Sequence, residues 1–431
     1  MPAVDAPDRA SVKGLRTLQL EGLRRTVRHA VENVPHYARA FADAGVKPDD
    51  VQSLDDLAAL PFTSKDDLRQ NYPFGLFAVP RERIARIHAS SGTTGRPTVV
   101  GYTAKDLDTW AGLMARGLKA VGAGPGDLVH NAFGYGLFTG GLGFHYGAER
   151  LGATVLPVSG GGTERQVQLM RDFRPNILLA TPSYLPVIAD EMERQGVTGR
   201  DCGLRLALFG AEPCSESLRA EIEARLGVEA FDSYGLSEVM GPGVAQETGE
   251  TRGSLVLWED HFLPEIIDPE TGRVLPDGET GELVLTTLTK EGMPMIRFRT
   301  RDRTSLLPGI GSPMRRMKRV AGRTDDMLII RGVNLFPSQI EELICADPEL
   351  APHYLIEVSR LERLDEITIR VEARPDRGMT VDEARATIAR RTERRIKDLI
   401  GISAFVQVEL PATIERSAGK AKRVVDLRPK G

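Results

Sequence analysis

Cysteine is scarce in this sequence: three residues in 431, Cys202, Cys214 and Cys345, are too few and too widely spaced for a disulfide framework. No C-x-x-C pair suggests zinc, and each cysteine reads as a small buried hydrophobe. Nowhere is there an uninterrupted apolar run of about 18 residues, the length a membrane helix needs. Met1 to Gly14 mixes Asp, Pro, Arg and Lys and lacks the apolar core of a signal peptide. An excess of one charge sign is missing too. The formal net charge is −4, spread along the chain without a single-sign tail, so no global field favours nucleic acid or an anionic membrane. These absences predict a reduced, cytoplasmic protein with no membrane and no nucleic-acid partner.

What is present is an ordinary globular composition, 41% hydrophobic and 27% charged. A length of 431 residues exceeds what one hydrophobic core usually supports, so two domains are expected. Leu15, Leu18, Leu23, Val27 and Val31 recur at helical spacing, and a second short helix is predicted over Ala38 to Ala44. Between about Ile84 and Leu288, β-rich runs such as Ile177 to Ala180 and Leu204 to Phe209 alternate with amphipathic stretches such as Ser215 to Leu226. That alternation predicts an α/β fold with mainly parallel sheets covered by helices.

After about Arg323 the character changes. Asp326 to Ile330 reads as a strand, Pro337 to Cys345 as a helix, and Glu366 to Glu372 as a half-exposed strand. Val381 to Ile400 carries Ala384, Ile388, Ile396 and Leu399 on one predicted face, and Phe405 to Leu410 is again strand-like. The expected division is 1–324 and 325–431, the second a small α+β unit.

Several segments carry chemistry. Ser90-Ser91-Gly92-Thr93-Thr94-Gly95-Arg96 combines glycines that let backbone amides face an anion, hydroxyls that donate to phosphate oxygens, and a planar cation. It lacks the G-x-x-x-x-G-K-[ST] spacing of a P-loop, and alone it reads as readily as a plain loop. Gly210-Ala211-Glu212-Pro213 follows a predicted strand, at the end where open α/β sheets place ligands. Asp232-Ser233-Tyr234-Gly235-Leu236-Ser237-Glu238 offers an aromatic face for a purine and a carboxylate for a hard cation. Asp302 follows a strand and suits ribose hydroxyls, Arg323 and Asp325 lie where the two parts meet, and Lys420 sits in a basic tail beside Gly419. Taken singly, each of these segments fits a turn or a solvated surface equally well.

Together, in this order, they resemble the motifs of the acyl-adenylate-forming enzymes, a group that includes acyl-CoA synthetases, peptide-synthetase adenylation domains and luciferases. Within it the chain is most similar to phenylacetate–CoA ligases, on His130 to Gly141, Tyr234 to Gly243 and Ile329 to Pro337. The resemblance runs from about Val34 to Asp426. It implies a large N-terminal domain that binds ATP and a carboxylic acid, a mobile C-terminal lid, Mg2+ and coenzyme A. By the same implication Ser90 to Arg96 hold the ATP phosphates and Glu238 helps hold Mg2+. Gly210 to Pro213, Asp232 to Gly235, Asp302 and Arg323 receive adenine and ribose. Lys420 acts in catalysis, Asp325 is the hinge, and Arg331 with Gly332 forms the coenzyme A side loop. A homodimer is a family expectation.

Tyr135, Phe138 and Pro242 are candidates for the acid pocket, although Tyr135 and Phe138 read equally as core aromatics. Two positions depart from the family pattern. Arg96 stands where Lys is common, and Phe144 where a smaller residue is usual, so a Phe144 lining the pocket would favour a smaller or differently substituted acid. Transfer to a carrier protein or a deazaflavin coenzyme, and a non-catalytic nucleotide-binding protein, remain as alternatives.

Overall fold

The structure is a computed structural model that describes residues 11–90, 97–323, 328–330, 333–361, 364–374, 382–416 and 421–428. Ser11 caps the first helix, Val12–Asn33, by accepting from the Gly14 amide. Leu15, Leu23, Val27 and Ala30 are buried along this helix, but Leu18 is 54% exposed, against expectation. Nine residues before Val27, it lies about half a turn round the helix from the buried stripe. The second helix, Pro35–Asp43, starts three residues earlier than expected, because proline fits the first helical position, where its missing N–H costs nothing.

A nine-stranded sheet forms the centre of the N-terminal part. Five of its strands are parallel neighbours: Thr154–Leu156, Leu128–Asn131, Ile177–Ala180, Leu206–Gly210 and Glu229–Leu236. Ile177–Ala180 and Leu206–Gly210 are buried along their whole length, as strands covered on both faces must be. Beyond Glu229–Leu236 the sheet turns antiparallel through Gly241–Glu247, Ser254–Leu257, Arg316–Lys318 and Leu306–Leu307. A separate antiparallel sheet holds Phe262–Ile267, Gly281–Thr287, Phe298–Thr304 and Gly322–Arg323. The expected parallel pairing is thus confined to the five strands at one end of this sheet, in an α/β fold.

The C-terminal part has its own core, around Ile340, Ile356, Ile369, Val371, Ile388 and Ile396. Its sheet is a long hairpin, Leu350–Leu361 with Leu364–Ala373, flanked by the parallel edge strands Val424–Asp426 and Phe405–Glu409. The helices Pro337–Cys345 and Asp382–Ile400 pack on it. On the second helix Ile388 and Ile396 are buried as expected, whereas Leu399 is 69% exposed and Ile400 packs on the core in its place.

Candidate nucleotide and acid site

The parallel strand Leu206–Gly210 ends in the Gly210 to Pro213 turn. A side chain at Gly210 would place its Cβ 2.3 Å from the Ser233 carbonyl oxygen, so the close pairing of two strands demands glycine. Ala211 follows with φ +72°, a left-handed conformation rare for a residue with a Cβ and a form of strain that gathers at functional sites. Glu212 accepts from the Ser183 amide at 3.2 Å and from the Ala421 amide of the C-terminal part. Burial raises the Glu212 carboxyl above the usual carboxylate range in spite of these donors.

Strand Glu229–Leu236 runs beside it and alternates its side chains. Tyr234 donates its hydroxyl to Asp302 Oδ2 at 2.5 Å, while Asp302 Oδ1 accepts from Arg323 Nη1 at 3.1 Å. Asp302 and Arg323 are direct partners across the antiparallel strands Phe298–Thr304 and Gly322–Arg323. Burial first, then the Asp302 charge, holds the Tyr234 phenol well above its usual range. Ser233 is buried on the opposite face. Burial pushes Asp232 up to about 7, with Arg319 opposing and Glu247 adding to the rise. Gly235 is another enforced glycine, since a Cβ there would meet the Gly241 oxygen at 1.9 Å. The neighbouring arginines serve the scaffold: Arg297 forms a buried two-pronged pair with Glu265, and Arg299 pairs with Glu282.

Glu238 is buried, with Lys65 Nζ 3.7 Å from its carboxylate. Its carbonyl accepts from Lys290 Nζ at 3.3 Å, and that ammonium lies 4.7 Å from the centre of the Tyr102 ring. Lys290 is 2% exposed, and burial pushes it down to about 8. Sequence reasoning missed both lysines. A single Lys in a mixed stretch carries no motif, and only the apolar Leu288, Met293 and Met295 around Lys290 hinted at its burial. Among the described residues no cluster of three His, Cys, Asp or Glu could hold a metal. The one buried carboxylate of Glu238 suits a Mg2+ whose other ligands are phosphate oxygens and water.

The proposed acid wall divides. Tyr135 is half-buried, accepts from Asn131 Nδ2 at 2.8 Å and meets His145 Nδ1 at 3.2 Å; burial pushes it up to about 12. Phe138 is 53% exposed and is therefore no core aromatic. Phe144 is the core aromatic: fully buried, it stacks on Phe133 with ring centroids 5.1 Å apart. Its expected bearing on acid size loses its basis. Pro242 accepts from Trp110 Nε1 at 2.8 Å, and the Trp110 ring leaves room only for glycine at 143 and 241. Trp110, one of two tryptophans in the chain, also went unnoticed in the motifs.

Ser91 to Arg96, Asp325, Arg331, Gly332 and Lys420 lie outside the described residues, as does the side chain of Ser90. Their flanks are described. Ser90 and Thr98, on either side of the Ser/Thr/Gly loop, are paired across an antiparallel ladder. Ala421, the residue after Lys420, donates to Glu212 in the Gly210 to Pro213 turn. No helix among the described residues is long and apolar enough to cross a membrane.

The Gly210 to Pro213 turn at the carboxyl end of a parallel strand, bonded by Ala421 of a second α+β unit, is the arrangement expected of an adenylate-forming enzyme. The model of the AMP-binding enzymes matches residues 18–288, and that of the AMP-binding enzyme C-terminal domain matches 332–428. A phenylacetate-coenzyme A ligase of Aromatoleum evansii is 60% identical over 98% of this chain and 97% of its own. Those of Escherichia coli and Thermus thermophilus are 56% and 50% identical, over 99% and 96% of this chain and 98% and 97% of theirs. The chain belongs to the AMP-binding enzymes and, among them, to the phenylacetate–CoA ligase family. A 2-hydroxyisobutyryl-CoA ligase in its postadenylation state superposes with a TM-score of 0.92 at 28% identity, covering 99% of this chain and 94% of that one. The same ligase in its thioesterification state, with coenzyme A, gives 0.74 at 30% identity and equal coverage.

Proposed function

We propose that the chain joins phenylacetate, or a related aryl acid, to coenzyme A at the expense of ATP, releasing AMP and pyrophosphate through an acyl-adenylate. The observation that carries the site assignment is the Ala421 amide on Glu212. It ties the residue next to Lys420 to the turn that receives adenine.

In the first half-reaction the acid carboxylate attacks the α-phosphorus and pyrophosphate leaves. Such a displacement depends mainly on positioning and charge neutralisation. Ser90 to Arg96 cradle the β- and γ-phosphates. Glu238 would hold Mg2+, which would supply neutralisation of phosphate charge. Tyr234, beside Gly210 to Pro213, supports adenine. Asp302, oriented by Tyr234 and Arg323, is the acceptor for the ribose hydroxyls. Lys420 neutralises charge on the carboxylate and α-phosphate oxygens as the new bond forms. Tyr135, Phe138 and Pro242 bound the aryl group.

In the second half-reaction the lid, residues 325–431, turns about Asp325, withdraws Lys420 and brings Arg331 and Gly332 toward the adenylate for attack by the coenzyme A thiol. The better superposition on the postadenylation form supports the first arrangement for the structure described. A homodimer in the cytoplasm accompanies this reading. A panel of aryl and short-chain acids, assayed for AMP release and thioester with coenzyme A, tests it. Phenylacetate or a close aryl relative should lead the panel, and a short aliphatic acid in that place would overturn the substrate assignment.

A further inference from the structure

Two carboxylates, the buried Glu341 and the half-buried Glu212, one on each side of the domain boundary, feel the charge of a single guanidinium. Glu341, on the lid helix Pro337–Cys345, accepts through Oε1 from the Ser215 amide at 3.1 Å. Ser215 caps the N-terminal-part helix Glu216–Leu226, so a lid carboxylate sits at the positive end of a helix in the other domain. The second oxygen of Glu341 lies 3.8 Å from Arg423 Nη2 and 3.4 Å from the Tyr354 hydroxyl. Arg423 lies over the Tyr354 ring at 4.3 Å, and its charge also acts on Glu212. Two residues earlier in the chain, the Ala421 amide donates to Glu212.

The contacts made by Ser215 with Glu341, and by Glu212 with Ala421, both cross between the two parts of the chain. Neither survives a lid rotation that carries residues 420–423 away from the Gly210 turn. They are worth most in one arrangement, and a contact shifts an equilibrium only through its difference between states. The superpositions, 0.92 on a postadenylation form against 0.74 on a thioesterification form, favour the arrangement that precedes coenzyme A attack.

We propose that Glu341 and Arg423 are positioning residues: with Glu212 they latch the lid in the adenylation arrangement and so present Lys420 to the reacting groups. The proposal rests on the two-arrangement reading above. Neither residue touches substrate; each acts through the segment that carries Lys420.

The test uses the full-length enzyme and separates the half-reactions. Acid-dependent ATP–pyrophosphate exchange without coenzyme A reads adenylation, and thioester formation from synthetic phenylacetyl-adenylate plus coenzyme A reads the second step. Glu341→Ala and Arg423→Met should lower exchange about tenfold or more. Thioester formation from supplied adenylate should stay within about twofold of the parent. Arg423→Lys should restore part of the exchange. If Glu341→Ala fails to fold, the near-isosteric Glu341→Gln decides. Equal losses in both steps, or unchanged exchange, overturn the latch. A parent enzyme without any acid-dependent exchange instead overturns the underlying functional reading.

Discussion

Arg323 faces Asp302 across two antiparallel strands, with Nη1 3.1 Å from Oδ1, while the other oxygen of the same carboxylate holds the Tyr234 hydroxyl at 2.5 Å. One side chain therefore orients both the aromatic assigned to adenine and the cation assigned to ribose. Asp302→Ala strands two polar groups, at about 1–3 kcal/mol each, and removes the ribose acceptor. The KM for ATP should rise roughly tenfold or more, with a smaller rise for Tyr234→Phe. Steady-state kinetics measures both, and an unchanged KM in Asp302→Ala would refute the ribose assignment.

Lys290 provides a test on stability rather than activity. Its pKa, about 8 against an ordinary 10.5, is depressed by burial. Below about pH 8 it is charged in both the folded and unfolded states, and the folded state bears the full burial cost. Between about 8 and 10.5 the folded lysine is neutral while the unfolded one is still charged, so that cost is relieved as pH rises. The cost is on the order of 3 kcal/mol, less about 1 for the bond to the Glu238 carbonyl. Lys290→Met should therefore melt above the parent at pH 7, with the gap narrowing as pH rises above about 8. A gap of constant size, or a destabilised variant at pH 7, would contradict this.

Lys420→Ala should leave ATP binding nearly intact and slow adenylation by several orders of magnitude, because its charge matters most as phosphorus changes partners. Equilibrium nucleotide binding and single-turnover adenylation separate the two. An unchanged single-turnover rate removes Lys420 from the mechanism.

Asp325→Pro restricts the backbone at the proposed hinge. Thioester formation should suffer more than pyrophosphate exchange. Equal losses in the two steps would count against rotation about this residue.

The parallel part of the main sheet was legible because strands buried on both faces, such as Ile177 to Ala180, leave continuous apolar runs. The antiparallel half was not. In Phe298–Thr304 arginines alternate with Phe298, Thr300 and Asp302, which reads as a strand but says nothing of its partners. The grouping of Asp302 with Arg323 followed from motif order, while their pairing on opposite strands needed the fold. Helical periodicity placed Ile388 and Ile396 inward but misplaced Leu18 and Leu399, since spacing alone does not show where a stripe is centred or where its partner surface ends. Lys65, Lys290 and Trp110 left no motif because their roles arise from chain segments that meet only in three dimensions. Glu341 and Arg423 escaped for the same reason: Glu341 meets Ser215 across distant parts of the chain.

The central claim is that the acid is activated as an adenylate before coenzyme A takes part. Its most direct test incubates the enzyme with ATP, Mg2+, phenylacetate and labelled pyrophosphate, with no coenzyme A present. Label should appear in ATP only when the acid is added, and AMP should accumulate with the thioester once coenzyme A is supplied. Label exchange that ignores the acid, or a product pair of ADP and phosphate, would contradict the account.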